Sequence, residues 1–280
     1  MTADKNLTGR HILIAGATSG MGRATARTAA AAGAKLVLLG RDGDRLDEIA
    51  TETRDLGAKG VLGVQADAAD AEALNAALEG HRDVLAGVDS LVNSVGVNIV
   101  QRSFVDLTAE SWSSMVDTNL NAAFNLAKTM VPLFRARGGG LLINISSTAA
   151  RKPDPSGAAY QATKAGVMAM THAIMEEEWQ NGIRATVILP GMTETSLLPK
   201  AAAATLTFAL PGIAAQDDPR LDALFGKLKS THDVTEAHDI EQVIWRVWSV
   251  SASSNLRCWS SNLGRGLKMK HHMLVFFSYS

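Results

Sequence analysis

The feature that most constrains this chain is the way apolar runs and helical patterns take turns along it. His11 to Gly16 carries Ile12, Leu13, Ile14 and Ala15 in an unbroken row, and Lys35 to Gly40 carries Leu36, Val37, Leu38 and Leu39. Runs without alternation suit parallel strands covered on both faces. Further strands are expected over Val61 to Ala66, Val88 to Asn93, Leu141 to Ile145 and Ile183 to Leu189. Helical spacing fills the gaps. It covers Gly20 to Ala32, closed by Gly33, and Asp42 to Leu56, closed by Gly57. It continues over Asp70 to Leu85, Thr108 to Ala136 with Thr108 and Ser111 as caps, and Ala158 to Gln180. This alternation predicts an α/β fold, a doubly wound parallel sheet with right-handed crossovers.

No linker, composition shift or internal repeat interrupts the pattern before Pro190. From Met192 to Ser230 it turns irregular, with Pro199, Pro211 and Pro219 as breakers, and Glu236 to Trp248 resumes a helix. A length of 280 residues alone suggests about two domains at roughly 150 residues each. The pattern instead assigns residues 1–263 to a single domain. Residues 264–280 form an atypical tail, basic first and apolar last.

Composition excludes several function classes. Lys plus Arg is 27 and Asp plus Glu is 28, a net charge of −1, which gives no broad footprint for nucleic acid. No apolar run approaches the roughly 20 residues that span a bilayer, and Met1 to Gly9 lacks the apolar stretch of a signal peptide. The single cysteine, Cys258, fits a reducing cytoplasm and reads as a buried, inert thiol. The 7 histidines show no metal-binding spacing, so no metal is expected. Glu176, Glu177 and Glu178 read as a solvated face.

Between the first strand and its helix lies Gly16-Ala17-Thr18-Ser19-Gly20-Met21-Gly22. A helix start after a strand offers free N–H groups and a positive dipole end to a phosphate, and glycines let the backbone approach closely. The turn, from Gly16 through Thr18, Ser19, Gly20, Met21 and Gly22, is therefore a dinucleotide-binding candidate. The second strand ends Leu39-Gly40-Arg41. An acidic residue there would take the ribose 2′-OH of NAD. Here Gly40 leaves space and Arg41 can grip a 2′-phosphate, which favours NADP(H) over NAD(H) although Asp42 is near.

Tyr160 and Lys164 stand at i and i+4 on one helix face. A phenol titrates near 10 and is a poor acid–base group at neutral pH; an adjacent ammonium favours its ionised form. Ser147, 13 residues before Tyr160, lies at the end of the fifth strand, where a doubly wound sheet lines its crevice. Ser146 is its rival, and the spacing favours Ser147.

These residues together resemble the short-chain dehydrogenase/reductase family in its classical, Rossmann-like form, over about residues 8 to 260 of the chain. The glycine turn resembles the family's TGxxxGxG, with Ala15 where Thr is usual. Asn93-Ser94-Val95-Gly96 matches its NNAG element at Asn93 and Gly96. Pro190-Gly191-Met192-Thr193-Glu194-Thr195 resembles its PGxxxT segment, so Pro190, Gly191, Thr193 and Thr195 are expected at the cofactor. Asp67, after the third strand, falls where the family holds the adenine ring. Asn119 matches the family's catalytic Asn.

The resemblance implies an enzyme that moves a hydride between NADP(H) and a ketone or secondary alcohol. Tyr160 would be the acid–base group, Lys164 would lower its pKa and bind the nicotinamide ribose, and Ser147 would orient the reacting oxygen. Asn119 would hold a water in a proton relay. The family's substrate loop falls at about residues 192–230. Leu197, Leu198, Leu206 and Phe208 there point to a hydrophobic substrate, or to collapse onto the core. The long helices at Thr108 to Ala136 and Ala158 to Gln180 are where the family pairs subunits, implying a homodimer or homotetramer. Two other readings remain open: an NAD-preferring dehydrogenase, and a silent nucleotide-sensing regulator, which usually lacks the Tyr and Lys. A sugar epimerase of the extended type would carry GxxGxxG and a longer C-terminal domain.

Overall fold

A computed structural model of the chain describes residues 6–152, 156–191 and 193. Among these, six parallel strands form one sheet in the order β3-β2-β1-β4-β5-β6. They are β1 (His11–Ala15), β2 (Lys35–Gly40), β3 (Gly60–Gln65), β4 (Ser90–Asn93), β5 (Gly140–Ile145) and β6 (Ile183–Ile188). The helices are α1 (Gly20–Ala31), α2 (Gly43–Asp55), α3 (Ala71–Glu79), α4 (Arg82–Ala86), α5 (Ala109–Val116), α6 (Ala122–Ala136) and α7 (Ala158–Glu178).

The unbroken apolar runs have a direct physical reason. Alternate residues of one strand enter different cores. Leu13 and Ala15 pack with Leu74, Leu126, Met130 and Phe134 from α3 and α6. Ile12 and Ile14 pack with Ala26, Ala29, Leu46 and Ile49 from α1 and α2. Both faces of the strand are covered, so neither can be polar. The register pairs Ala15 with Leu39 on one side and Asn93 on the other, and Asn93 with Asn144. The chain reverses its direction of travel across the sheet between β1 and β4, and the carboxyl ends of all six strands share one rim.

Helix starts follow the capping rules. Asp42 and Asp70 accept from the backbone N–H of Arg45 and Ala73, and Thr108 forms a reciprocal capping box with Ser111. The expected helix from Asp70 to Leu85 is two helices. α3 stops at Gly80, a poor helix former, and α4 begins at Arg82. The expected helix from Thr108 to Ala136 is interrupted by a π turn over Asp117–Asn121.

Glu178 departs from the solvated face expected of it. It is buried, and the Arg135 guanidinium donates to its two carboxylate oxygens at 2.7 and 2.5 Å. Asn181 adds a bond at 3.0 Å. These partners, Arg135 first, hold the Glu178 carboxyl below the usual range and strap the end of α7 to α6.

No helix among the described residues is long and apolar enough to cross a membrane. The helix expected over Glu236 to Trp248, Cys258, the tail 264–280, Thr195 and the expected substrate loop apart from Thr193 lie outside the described residues.

Candidate active site

Each predicted site residue that the structure describes lies at or beside the carboxyl rim of the sheet, where open α/β sheets place their crevice. The turn after β1 is pinned to β2: the N–H groups of Gly16 and Ala17 both donate to the Leu39 carbonyl, at 2.9 and 3.2 Å. Gly16 has φ +76° and Gly20 φ +52°, conformations open chiefly to glycine. A Cβ on Gly22 would run into the Gly16 carbonyl oxygen. A Cβ on Gly40 would come within 2.8 Å of the Thr18 methyl group, so Thr18 occupies the side-chain space that Gly40 leaves empty.

Ser19 precedes α1 without capping it through its side chain, and the first turn of α1 carries no acidic residue. Its amide groups and dipole end therefore face the rim without a carboxylate of their own. That is the chemistry a pyrophosphate requires. The cradle fits a dinucleotide.

At the ends of β2 and β3, Arg41 and Asp67 meet. The guanidinium stands 3.6 Å from a carboxylate oxygen. The other carboxylate oxygen accepts from the Ala69 N–H at 2.9 Å, and the Arg41 carbonyl accepts from Gln65 at 3.0 Å.

On the opposite side of β1 the structure gathers Asn119, Tyr160, Lys164 and the segment 145–147. Gly157, at φ +93°, starts α7 hard against the Arg102 backbone, where a Cβ would lie 2.6 Å from the carbonyl oxygen. Tyr160 follows in the first turn of α7 and Lys164 one turn later. Lys164 is 4% exposed, and its Nζ lies 5.9 Å from the centre of the Tyr160 ring. Nζ donates to the Ile145 carbonyl at 3.1 Å, while the Ser146 hydroxyl donates to the Lys164 carbonyl at 2.7 Å. Burial of the ammonium pushes its pKa from 10.5 down to about 8. Ser147 sits between β5 and a short 3₁₀ turn and accepts from the Ala149 N–H at 3.1 Å.

Asn119 lies in the π turn, a distortion often found at functional sites. Its side chain braces the loop after β4. Oδ1 accepts from the Val97 N–H at 2.7 Å, and Nδ2 donates to the Val97 carbonyl at 3.0 Å and to Thr163 at 3.2 Å. Gly96 is the neighbour of both groups. A Cβ there would lie 2.9 Å from Lys164 Nζ and 3.4 Å from Asn119 Oδ1.

Sequence reasoning passed over a buried polar chain beneath the rim. Asn93 donates to Asn144 at 2.9 Å, Asn144 to Thr171 at 2.9 Å, and Thr171 to the Val167 carbonyl at 2.6 Å. It links β4, β5 and α7. The signal was present as an Asn inside Leu141-Leu142-Ile143-Asn144-Ile145, since a polar residue in a buried strand needs partners. After β6, the Pro190 carbonyl accepts from the Thr148 N–H at 3.0 Å, joining that loop to the one carrying Ser147. The Thr193 hydroxyl donates to the Gly191 carbonyl at 3.3 Å.

Comparison with known proteins bears on the fold and the family. The short chain dehydrogenase family matches residues 10–205. A 3beta-hydroxysteroid dehydrogenase of Mediterraneibacter gnavus is 31% identical over 219 residues, covering 78% of each chain. Among solved structures, a 3-ketoacyl-(acyl-carrier-protein) reductase from Brucella melitensis complexed with NADH has a TM-score of 0.65 at 30% identity, covering 70% of this chain and 80% of that one. The L-sorbose reductase of Gluconobacter frateurii, complexed with NADPH and L-sorbose, has a TM-score of 0.67 at 32% identity, covering 74% of this chain and 78% of that one.

Proposed function

The chain belongs to the short-chain dehydrogenase/reductase family, an NAD(P)-dependent oxidoreductase, and on that premise we propose that it interconverts a ketone and a secondary alcohol with NADP(H), using Tyr160, Lys164, Ser147 and Asn119. The observation that carries the residue reading is the buried Lys164 ammonium beside the Tyr160 ring, bonded to the segment that bears Ser147.

Tyr160 gives its hydroxyl proton to the carbonyl oxygen in reduction and takes the alcohol proton in oxidation. A phenol near pKa 10 does this poorly at neutral pH; the Lys164 cation favours the phenolate and lowers that pKa. Ser147 orients the reacting oxygen by hydrogen bonding. Both amide protons of Asn119 are engaged with Val97 and Thr163, so a relay water between Lys164 and solvent would be held by an oxygen of Asn119. When bound, the nicotinamide supplies or accepts the hydride. Gly16 and the stretch Thr18 to Gly22 would hold its pyrophosphate, Arg41 a 2′-phosphate and Asp67 the adenine. Pro190, Gly191, Thr193 and Thr195 would meet the nicotinamide carboxamide and the phosphates, and Tyr160 and Lys164 the adjoining ribose. The loop from Asn93 to Gly96 would supply the contact after β4, with the Asn93 side chain bracing the loop from within.

The preference for NADP(H) is supported by the exposed Arg41 guanidinium at the end of β2; the room expected beside Gly40 is taken by Thr18 and lends it nothing. A second reading, an NAD preference, is favoured by the contact that Arg41 makes with Asp67. A hydrophobic substrate is supported by the apolar stretch from Ala201 to Leu210 and by the relative named for a hydroxysteroid. Pairing into a homodimer or homotetramer is supported by Trp112 and Phe124, exposed on α5 and α6. A cytoplasmic location is supported by the single cysteine.

The test is Tyr160→Phe. Cofactor binding, read by nucleotide fluorescence, should persist while kcat falls by about 10²–10⁴. Turnover near the wild-type rate overturns the acid–base role.

A further inference from the structure

We propose that Ser146 is a positioning residue that acts through Lys164, fixing how deep the ammonium stands beside Tyr160 and Ser147. The inference deepens the functional reading above and rests on it for its catalytic consequence.

Ser146 is 3% exposed, and its hydroxyl donates at 2.7 Å to the main-chain carbonyl of Lys164. The other end of the same lysine donates at 3.1 Å to the carbonyl of Ile145. Two adjoining residues of the strand end thus hold one helical residue by its backbone and by its side-chain tip. The Lys164 carbonyl lies inside α7, where helix geometry already assigns it the amide four residues on. The serine bond is not needed to form the helix; it sets the helix against the strand. The anchor side is firm, because the Ser146 N–H donates to the Ile188 carbonyl at 2.8 Å.

The ammonium has little lateral freedom. On its far side Gly96 leaves only the space of an absent side chain, with a Cβ position 2.9 Å from Nζ. Without the serine bond, α7 can lift from the strand end. Gly96 closes one side of Nζ, so an ammonium released from the Ile145 carbonyl moves away from Gly96 and gains contact with water. Its lowered pKa would relax toward 10.5.

Ser146→Ala removes the donor and adds no bulk, and Ser146→Thr keeps the hydroxyl. Two readouts separate positioning from mere stability. The first needs no turnover: acetic anhydride labelling of Lys164 across pH in the cofactor-free protein, quantified by mass spectrometry. The Ala variant should titrate higher than wild type by about half a pH unit or more. The second is the pH profile of kcat/KM for alcohol oxidation. Its alkaline-seeking limb should shift upward with kcat down about tenfold and the cofactor KM within about twofold, as expected for a small misplacement of the acid–base pair. The Thr variant should restore both.

A folded Ala variant whose labelling curve and pH profile match wild type overturns the proposal. If the Thr variant does not fold, the Ala labelling curve decides alone. Turnover in Tyr160→Phe would strike the acid–base reading instead, and leaves the labelling result to judge Ser146 separately.

Discussion

The Arg41 guanidinium and a carboxylate oxygen of Asp67 stand 3.6 Å apart, tying the end of β2 to the end of β3. The sequence assigns these residues to different parts of a cofactor; the fold sets them against each other. The side chains are 63% and 42% exposed, so the pair is worth about 0.2–1 kcal/mol. A bidentate bond from arginine to a phosphate is stronger, and the phosphate should win Arg41. Arg41→Ala should therefore lower kcat/KM for NADPH by about tenfold to a hundredfold more than for NADH. Equal losses would return Arg41 to the surface. Asp67→Asn should move the NADPH/NADH ratio upward, by at most about fivefold, because it frees Arg41 while disturbing the adenine side for both cofactors alike.

Lys164 makes stability depend on pH. Its proton leaves at about 8 in the folded chain and at 10.5 when unfolded. Below pH 8 both states hold the proton, and the folded state carries the full burial penalty. Between 8 and 10.5 the unfolded chain holds more protons, so stability rises with pH; above 10.5 the penalty is gone. The penalty is on the order of 3 kcal/mol, offset by about 1 kcal/mol for the bond to Ile145. Lys164→Met should be inactive yet more stable than wild type at pH 7 by about 2 kcal/mol. Its advantage should shrink toward pH 10. Urea unfolding at both pH values checks it, and a Met variant weaker than wild type at pH 7 contradicts it.

Gly96→Ala should separate activity from stability. The added Cβ meets the tip of a flexible side chain, Lys164 Nζ at 2.9 Å, rather than backbone. The lysine can yield at small cost in folding, but only by leaving its place beside Tyr160. A kcat loss of about tenfold or more is expected, with Tm within a few degrees. Wild-type turnover would mean that the ammonium tolerates displacement.

Asn144→Ala leaves Asn93 and Thr171 without their shared partner inside the core. Unsatisfied buried groups cost about 1–3 kcal/mol each, so a loss of about 2 kcal/mol or more is expected in urea unfolding. Thr171→Val, at the end of the chain, should cost less. Equal, small effects would show that the polar chain is slack.

The strands were legible because a doubly covered strand cannot hide its character: Ile12 to Ala15 and Leu36 to Leu39 have no polar position to spare. The Thr108 and Ser111 cap was legible because capping is a local matter of side-chain type and spacing, and the same chemistry at Asp42 and Asp70 came only with the structure. The π turn at Asn119 was not, because one extra residue per turn leaves the apolar spacing of a long helix nearly unchanged. Glu178 was misread because its two acidic neighbours gave no hint that Arg135 stood across from only one of them. Ser146 was set aside as a rival to Ser147, since its partner is a backbone carbonyl 18 residues away and leaves no mark in either sequence segment.

Because Lys164 is tied to the strand end by both its carbonyl and its ammonium, β5 and the first turns of α7 must travel as one rigid body. Slow breathing of the enzyme should therefore leave the amides of Ser146, bonded to the Ile188 carbonyl, and of Lys164, inside α7, among the last to exchange.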